Sequence, residues 1–129
     1  MKITFIGAGS TVFARNVIGD CILTPELGAF DVCLFDIDPV RLDESYQILS
    51  NINKTANGKA NIVKTLDRTE AFTGADFVVI SILPGTFDEM ESDVHAPEAY
   101  GIYQSVGDTV GAGGFMRAMR TIPMYVTIA

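Results

Sequence analysis

A run of β-branched and aromatic residues, Lys2-Ile-Thr-Phe-Ile6, stops at Gly7-Ala8-Gly9-Ser10, and helical spacing begins directly behind it. Phe13, Val17, Ile18, Cys21 and Ile22 share one helical face, and Thr24-Pro25 closes that helix because the residue before a proline is pushed out of the α region. Ser10 stands where an N-cap is expected. A strand that passes into a helix over two glycines is the opening unit of a β-α-β fold.

The remaining sequence repeats that alternation. Phe30 to Phe35 reads as a second strand, and its continuous apolar run Val32-Cys-Leu-Phe35 suits a strand covered on both faces. Asp38-Pro39 starts a helix, with Asp38 as N-cap. Leu42, Tyr46, Leu49 and Ile52 carry it to about Asn53. Ala60 to Lys64 is a short third strand and Thr69 to Thr73 a helical turn. Phe77-Val-Val-Ile-Ser-Ile82 is the strongest strand, stopped by Pro84-Gly85. This order predicts a Rossmann-type α/β domain, a parallel sheet with helices on both faces. Residues 83–112 show no clean period and are expected to form a long connection of the functional kind. Phe115 to Ala129 is predicted helical, with Phe115, Met119, Ile122 and Val126 on one face and Pro123 kinking or ending its first part.

Composition removes several classes of partner. With 129 residues the chain has room for one domain. Lys and Arg number 9 against 16 Asp and Glu, a net charge of -7, so attraction to a phosphate backbone is absent and nucleic acid is not an expected partner. No apolar run approaches the roughly 18–20 residues of a membrane span. Ile3 to Ile6 is too short for a signal-peptide core, and Cys21 and Cys33 read as buried thiols. A cytoplasmic setting is therefore expected.

The glycine turn carries the chemistry. Gly7 permits the sharp turn, Gly9 lets a pyrophosphate approach the backbone, and the helix behind offers free N–H groups and the positive end of its dipole. A third glycine would fall at Val12 and is absent. Asp36 ends the second strand, 27 residues after Gly9, near the spacing of an acid that holds the ribose hydroxyls. A carboxylate there repels a 2′-phosphate, so NAD is expected over NADP. The cofactor-binding candidates are Gly7, Gly9, Ser10 and Asp36.

Other groups point less clearly. His95 is the single histidine, and nothing at ligand spacing completes a metal site or a nucleophilic triad around it. Asp88, Glu89, Glu91 and Asp93 form an acidic cluster that reads as solvated. Arg117 and Arg120 share a side of the last helix, with surface carboxylates or a substrate as alternative partners.

Two blocks of sequence resemble glycoside hydrolase family 4, and within it the α-galactosidases (melibiases). One runs from Ile3 to Thr11, continues through Asn16-Val-Ile-Gly-Asp20, and resumes at Asp36-Ile-Asp-Pro39, Arg41-Leu42 and Glu44-Ser45. The other is Tyr100-Gly-Ile-Tyr-Gln104, Gly107-Asp-Thr109, Gly111, Gly113-Gly114 and Arg117-Ala-Met-Arg-Thr-Ile-Pro123. The resemblance implies an enzyme that uses NAD and a divalent metal, usually manganese, to hydrolyse a small-molecule glycoside. NAD takes hydride from C3 of the sugar, a tyrosine removes the C2 proton, the glycosidic oxygen leaves C1, water adds, and the hydride returns. The metal holds the C2 and C3 oxygens.

Carried over by position, Gly7, Gly9 and Ser10 match the pyrophosphate loop, Asp36 the ribose acid, and Asp108 a substrate contact. The family's metal-binding Cys and His and its base Tyr lie beyond position 129. Cys21, Cys33 and His95 do not match them, and Pro84-Gly85-Thr86 departs from the family pattern. Residues 1–129 are thus expected to be the NAD-binding part of an incomplete Rossmann-type domain, inactive alone, with catalytic and metal residues elsewhere. An apolar last helix and an edge strand at Phe77–Ile82 predict a homo-oligomer. The competing readings are an NAD-dependent 2-hydroxy-acid dehydrogenase, against which the Tyr100–Pro123 block argues, and a non-catalytic nucleotide-binding module.

Overall fold

A computed structural model describes residues 1–107 and 110–129, which fall into two compact units, Met1–Ile82 and Leu83–Ala129. The first is a four-stranded parallel sheet in the order β3-β2-β1-β4. Its strands are β1 (Lys2–Ile6), β2 (Phe30–Phe35), β3 (Ala60–Thr65) and β4 (Phe77–Ile80). The helices between them are α1 (Thr11–Ile22), α2 (Pro39–Thr55) and α3 (Arg68–Phe72).

Alternation along the strands sorts side chains to the two faces of the sheet. Ile3 and Phe5 of β1 join Val32 and Leu34 of β2 in one apolar cluster, with Ala14, Ile18 and Ile22 of α1 and Leu42 and Leu49 of α2. Thr4 points the other way, and its hydroxyl donates to the Ala71 carbonyl of α3 at 2.7 Å. That bond satisfies a fully buried hydroxyl and ties α3 to the central strand. Strand β2 is buried through Val32, Cys33 and Leu34, as its unbroken apolar run predicts. Asp38 caps α2, its carboxylate accepting from the N–H groups of Val40 and Arg41.

Several local expectations need correcting. Ser10 occupies the N-cap position of α1, but its side chain makes no capping bond. Its ψ of 72° lies outside the extended conformation from which a side chain reaches back to the helix. Cys33 is buried, whereas Cys21, in the last turn of α1, is half-buried, and both thiols are free. Burial raises the pKa of each thiol, which keeps them protonated. Strand β4 ends at Ile80, though the Ser81 N–H still donates to the Ile6 carbonyl at 2.8 Å.

The second unit holds α4 (Phe87–His95), a 3-10 turn at Ala96–Tyr100, and α5 (Gly111–Ile128). A helix therefore occupies part of the segment expected to be a connection. Phe87, Met90 and Val94 do keep helical spacing in it, but the helix spans only nine residues and the acids Asp88, Glu89, Glu91 and Asp93 leave just these three to mark it. Its signal is the capping box: Thr86 accepts from Asp88 N–H, and Glu89 accepts from the Thr86 N–H at 2.6 Å. Arg120 of α5 grips the Asp93 carboxylate with two guanidinium nitrogens. Helix α5 begins at Gly111 rather than Phe115 and continues through Pro123. Among the described residues, no helix is long and apolar enough to cross a membrane.

The Thr86 hydroxyl, then the backbone N–H groups of Thr86 and Glu89, hold the Glu89 carboxyl below the ordinary glutamate range. A depressed folded-state value means that the bond stabilises α4 above the ordinary range and is lost as pH falls through the folded value. In thermal melts, the advantage of the parent over Glu89→Gln is expected to shrink on acidification below that range. An advantage independent of pH would contradict this origin.

Candidate functional site

In this sheet β1 is followed outward by β2 and β3 on one side and by β4 on the other. The strand order reverses between β1 and β4, and ligands of open parallel sheets bind beyond the carboxyl ends of the strands at such a reversal. The Gly7-Ala8-Gly9-Ser10 loop leaves β1 there.

Each residue of the loop answers a constraint. Gly7 has φ +85°, and a Cβ on it would overlap the carbonyl oxygen of Ser81. The Gly7 and Ala8 N–H groups both donate to the Phe35 carbonyl, at 2.9 and 3.0 Å, closing the loop over the end of β2. A Cβ on Gly9 would lie 2.7 Å from Asp36 Oδ2 and 3.0 Å from Arg41 Cβ. The Gly9 N–H donates to Asp36 Oδ2 at 2.6 Å, while Asp36 Oδ1 accepts from the Asp38 N–H at 2.9 Å.

The sequence-predicted residues Gly7, Gly9, Ser10 and Asp36 are thus brought together at one end of the sheet. Asp36 is partly exposed, and each of its oxygens keeps a lone pair beyond its backbone bond. Two adjacent acceptors on a fixed carboxylate match a vicinal diol. At the start of α1, Thr11 N–H turns back to the Gly9 carbonyl and Ala14 N–H to Ser10. Among the described residues no acceptor receives the Val12 and Phe13 N–H groups, which leaves donors for an anion at the helix N-terminus. Val12 is exposed, so the absent third glycine does no harm to packing here. This end of β1 thus presents unpaired helix N–H groups beside an anchored carboxylate, chemistry that suits a ligand carrying an anion and a diol.

Ser45 of α2 also belongs to this end of the sheet, where its spacing alone does not place it. It is buried, and its hydroxyl donates to the Ala8 carbonyl at 2.6 Å, with Thr11 Oγ1 at 3.4 Å. A small hydroxyl residue on the inner face of a helix was the available signal.

Side chains of the second unit have local partners. His95 Nδ1 is 2.9 Å from Glu98 Oε1, and Arg120 pairs with Asp93. A Cβ on Gly111 or Gly113 would lie 2.6 Å from the Gln104 amide, so these glycines admit that side chain against α5. Asp108 lies outside the described residues. Among the described residues, no group of three or more His, Cys, Asp and Glu side chains could hold a metal ion.

Residues 2–129 match the family described as Family 4 glycosyl hydrolase. The chain belongs to that family. An α-galacturonidase from Lachnoclostridium phytofermentans is 51% identical over 131 residues, covering 100% of this chain and 28% of the relative. An α-galactosidase from Bacillus subtilis is 46% identical over 129 residues, covering 99% of this chain and 30% of the relative. A crystal structure of a 6-phospho-α-glucosidase from gut microorganisms, in complex with NAD and glucose-6-phosphate, superposes with a TM-score of 0.83 at 27% identity. That match covers 99% of this chain and 29% of that one. This family 4 chain therefore spans under a third of the length of these relatives.

Gly7→Ala tests the cradle without any ligand. A side chain at this positive φ is expected to cost about 1–3 kcal/mol from backbone strain alone, before the overlap with Ser81 adds to it. Urea unfolding measures the loss, and a variant as stable as the parent would show that the loop relaxes freely.

Proposed function

We propose that this chain is the NAD-binding part of a glycosidase that hydrolyses an α-linked galactoside or galacturonide by transient oxidation at C3 and elimination. The observation that carries the cofactor assignment is the Gly9–Asp36 bond at the reversal of strand order, in a chain that belongs to family 4. The sugar class rests on relatives named α-galacturonidase and α-galactosidase. When bound, NAD supplies a reversible acceptor for the C3 hydrogen of the sugar.

The chain's own residues bind and orient. Gly7 and Gly9 let the loop turn tightly against Ser81, Asp36 and Arg41, and the free Val12 and Phe13 N–H groups beyond it donate to the pyrophosphate. Asp36 accepts from the adenosine ribose hydroxyls. Its negative charge disfavours a 2′-phosphate, which selects NAD over NADP. Among the described residues no side-chain cluster fits a metal ion, and a divalent metal would be held by residues elsewhere in the enzyme.

Titration calorimetry is expected to give tighter binding of NAD than of NADP. Asp36→Ala should weaken NAD by on the order of 1–3 kcal/mol, the cost of a lost hydrogen bond to a charged group, and narrow the preference. Equal or tighter binding of NADP by the parent chain would overturn the assignment of Asp36.

The activity has its own test. The chain is substituted for the matching residues of the Bacillus subtilis α-galactosidase. The chimera is expected to hydrolyse an aryl α-galactoside only when NAD is supplied after nucleotide removal. Hydrolysis that needs no NAD, or none from a folded chimera that binds NAD, would count against the proposal.

A further inference from the structure

The Ala8 carbonyl and the Gly9 N–H belong to one peptide unit, and both of its ends are held. Ser45 Oγ of α2 donates to the carbonyl at 2.6 Å, and Asp36 Oδ2 at the end of β2 accepts from the N–H at 2.6 Å. Peptide planarity makes the two bonds interdependent: turning the carbonyl away from Ser45 turns the N–H away from Asp36. The glycine on the C-terminal side of this peptide has unusual freedom to turn, so the plane has little intrinsic preference.

We propose that Ser45 is a positioning residue for the nucleotide site, acting through the Ala8–Gly9 peptide to set the orientation of the Asp36 carboxylate. The proposal rests on the NAD reading above for its functional consequence, but the clamp itself is a property of the free chain. Ser45 is buried beneath the loop, with the Ala8 carbonyl and Thr11 Oγ1 as its hydroxyl contacts, and it touches no ligand position. Asp36 keeps its second backbone bond, from Asp38 N–H, when the clamp is lost. One oxygen then stays anchored while the other is freed. Ribose recognition and exclusion of a 2′-phosphate both depend on where that freed oxygen points.

The test uses the full 129-residue chain and the Ser45→Ala and Ser45→Cys variants. The cysteine fills the serine's space while its thiol is a much weaker donor, so it separates the hydrogen bond from the cavity. In the nucleotide-free chain, hydrogen exchange at the Gly9 amide is expected to speed up roughly tenfold in both variants, the effect of losing about one hydrogen bond. Amides of β1 and β2 should change little. In NAD and NADP titrations, both variants should show a reduced NAD-to-NADP affinity ratio. Combined with Asp36→Ala, Ser45→Ala should cost little further NAD affinity, because the two act along one path.

Gly9 exchange unchanged from the parent, or raised only in step with the β1 and β2 amides, would overturn the clamp. Faster Gly9 exchange with an unchanged nucleotide ratio would overturn the positioning role. If Ser45→Ala does not fold, Ser45→Cys carries the same measurements. A parent chain that binds no NAD defeats the functional reading instead, and the Gly9 exchange still decides the clamp.

Discussion

Strand β1 is hydrogen-bonded along both edges, to β2 from Lys2 to Ile6 and to β4 from Ile3 to Ile6. Its inner residues are packed on both faces, Ile3 and Phe5 against the helices α1 and α2 and Thr4 against α3. A strand held in this way has no freedom at its carboxyl end. The chain must leave it within one residue, under the Ser81 carbonyl and over the Phe35 carbonyl. Glycine at position 7 meets that demand through its positive φ and its missing Cβ. The glycine loop, the start of α1 and Asp36, at the carboxyl end of the sheet, are placed by this exit.

The loop is not merely tight; most of its backbone donors are committed to the fold, and two at the start of α1 are left over among the described residues. Gly7 and Ala8 donate to Phe35, Gly9 to Asp36, and Ser10 and Thr11 turn back on the loop itself. The first helical donors left over are those of Val12 and Phe13, beyond the glycines. The missing capping bond of Ser10 has a consequence here, because a side-chain cap would have taken one of these donors. Asp36 closes the arrangement from the other side, a carboxylate held in place by two backbone donors; under the proposed function it is fixed before the ribose binds. Preorganisation of this kind lowers the cost of binding.

In the second unit the chemistry-bearing residue types are largely committed to holding helices. Glu89 caps α4, Asp93 pairs with Arg120, and His95 faces Glu98. Gln104 fills the space left by Gly111 and Gly113. Of these residues, Gln104, Gly111, Gly113 and Arg120 belong to the second block of family 4 sequence, which thus contributes packing and ion-pair contacts to this unit, while Gln104 Nε2 stays buried without a hydrogen-bond partner among the described residues.

By itself the sequence determined the alternation of strands and helices, the parallel sheet, the glycine turn and the acid at the end of β2. These are legible because each is a local signal: apolar runs, helical spacing, proline and glycine at element ends, and a spacing measured along the chain. Helix α4 is a weak local signal because its helical spacing rests on three residues, Phe87, Met90 and Val94, within nine, although Thr86 and Glu89 mark its start. The idle Ser10 side chain depended on a backbone angle, which composition does not report. Only the tertiary structure decided that Ser45 lies beneath Ala8 and that Gly9 meets Asp36. Those contacts join residues 37 and 27 positions apart, and such pairs meet only when the sheet and α2 have packed.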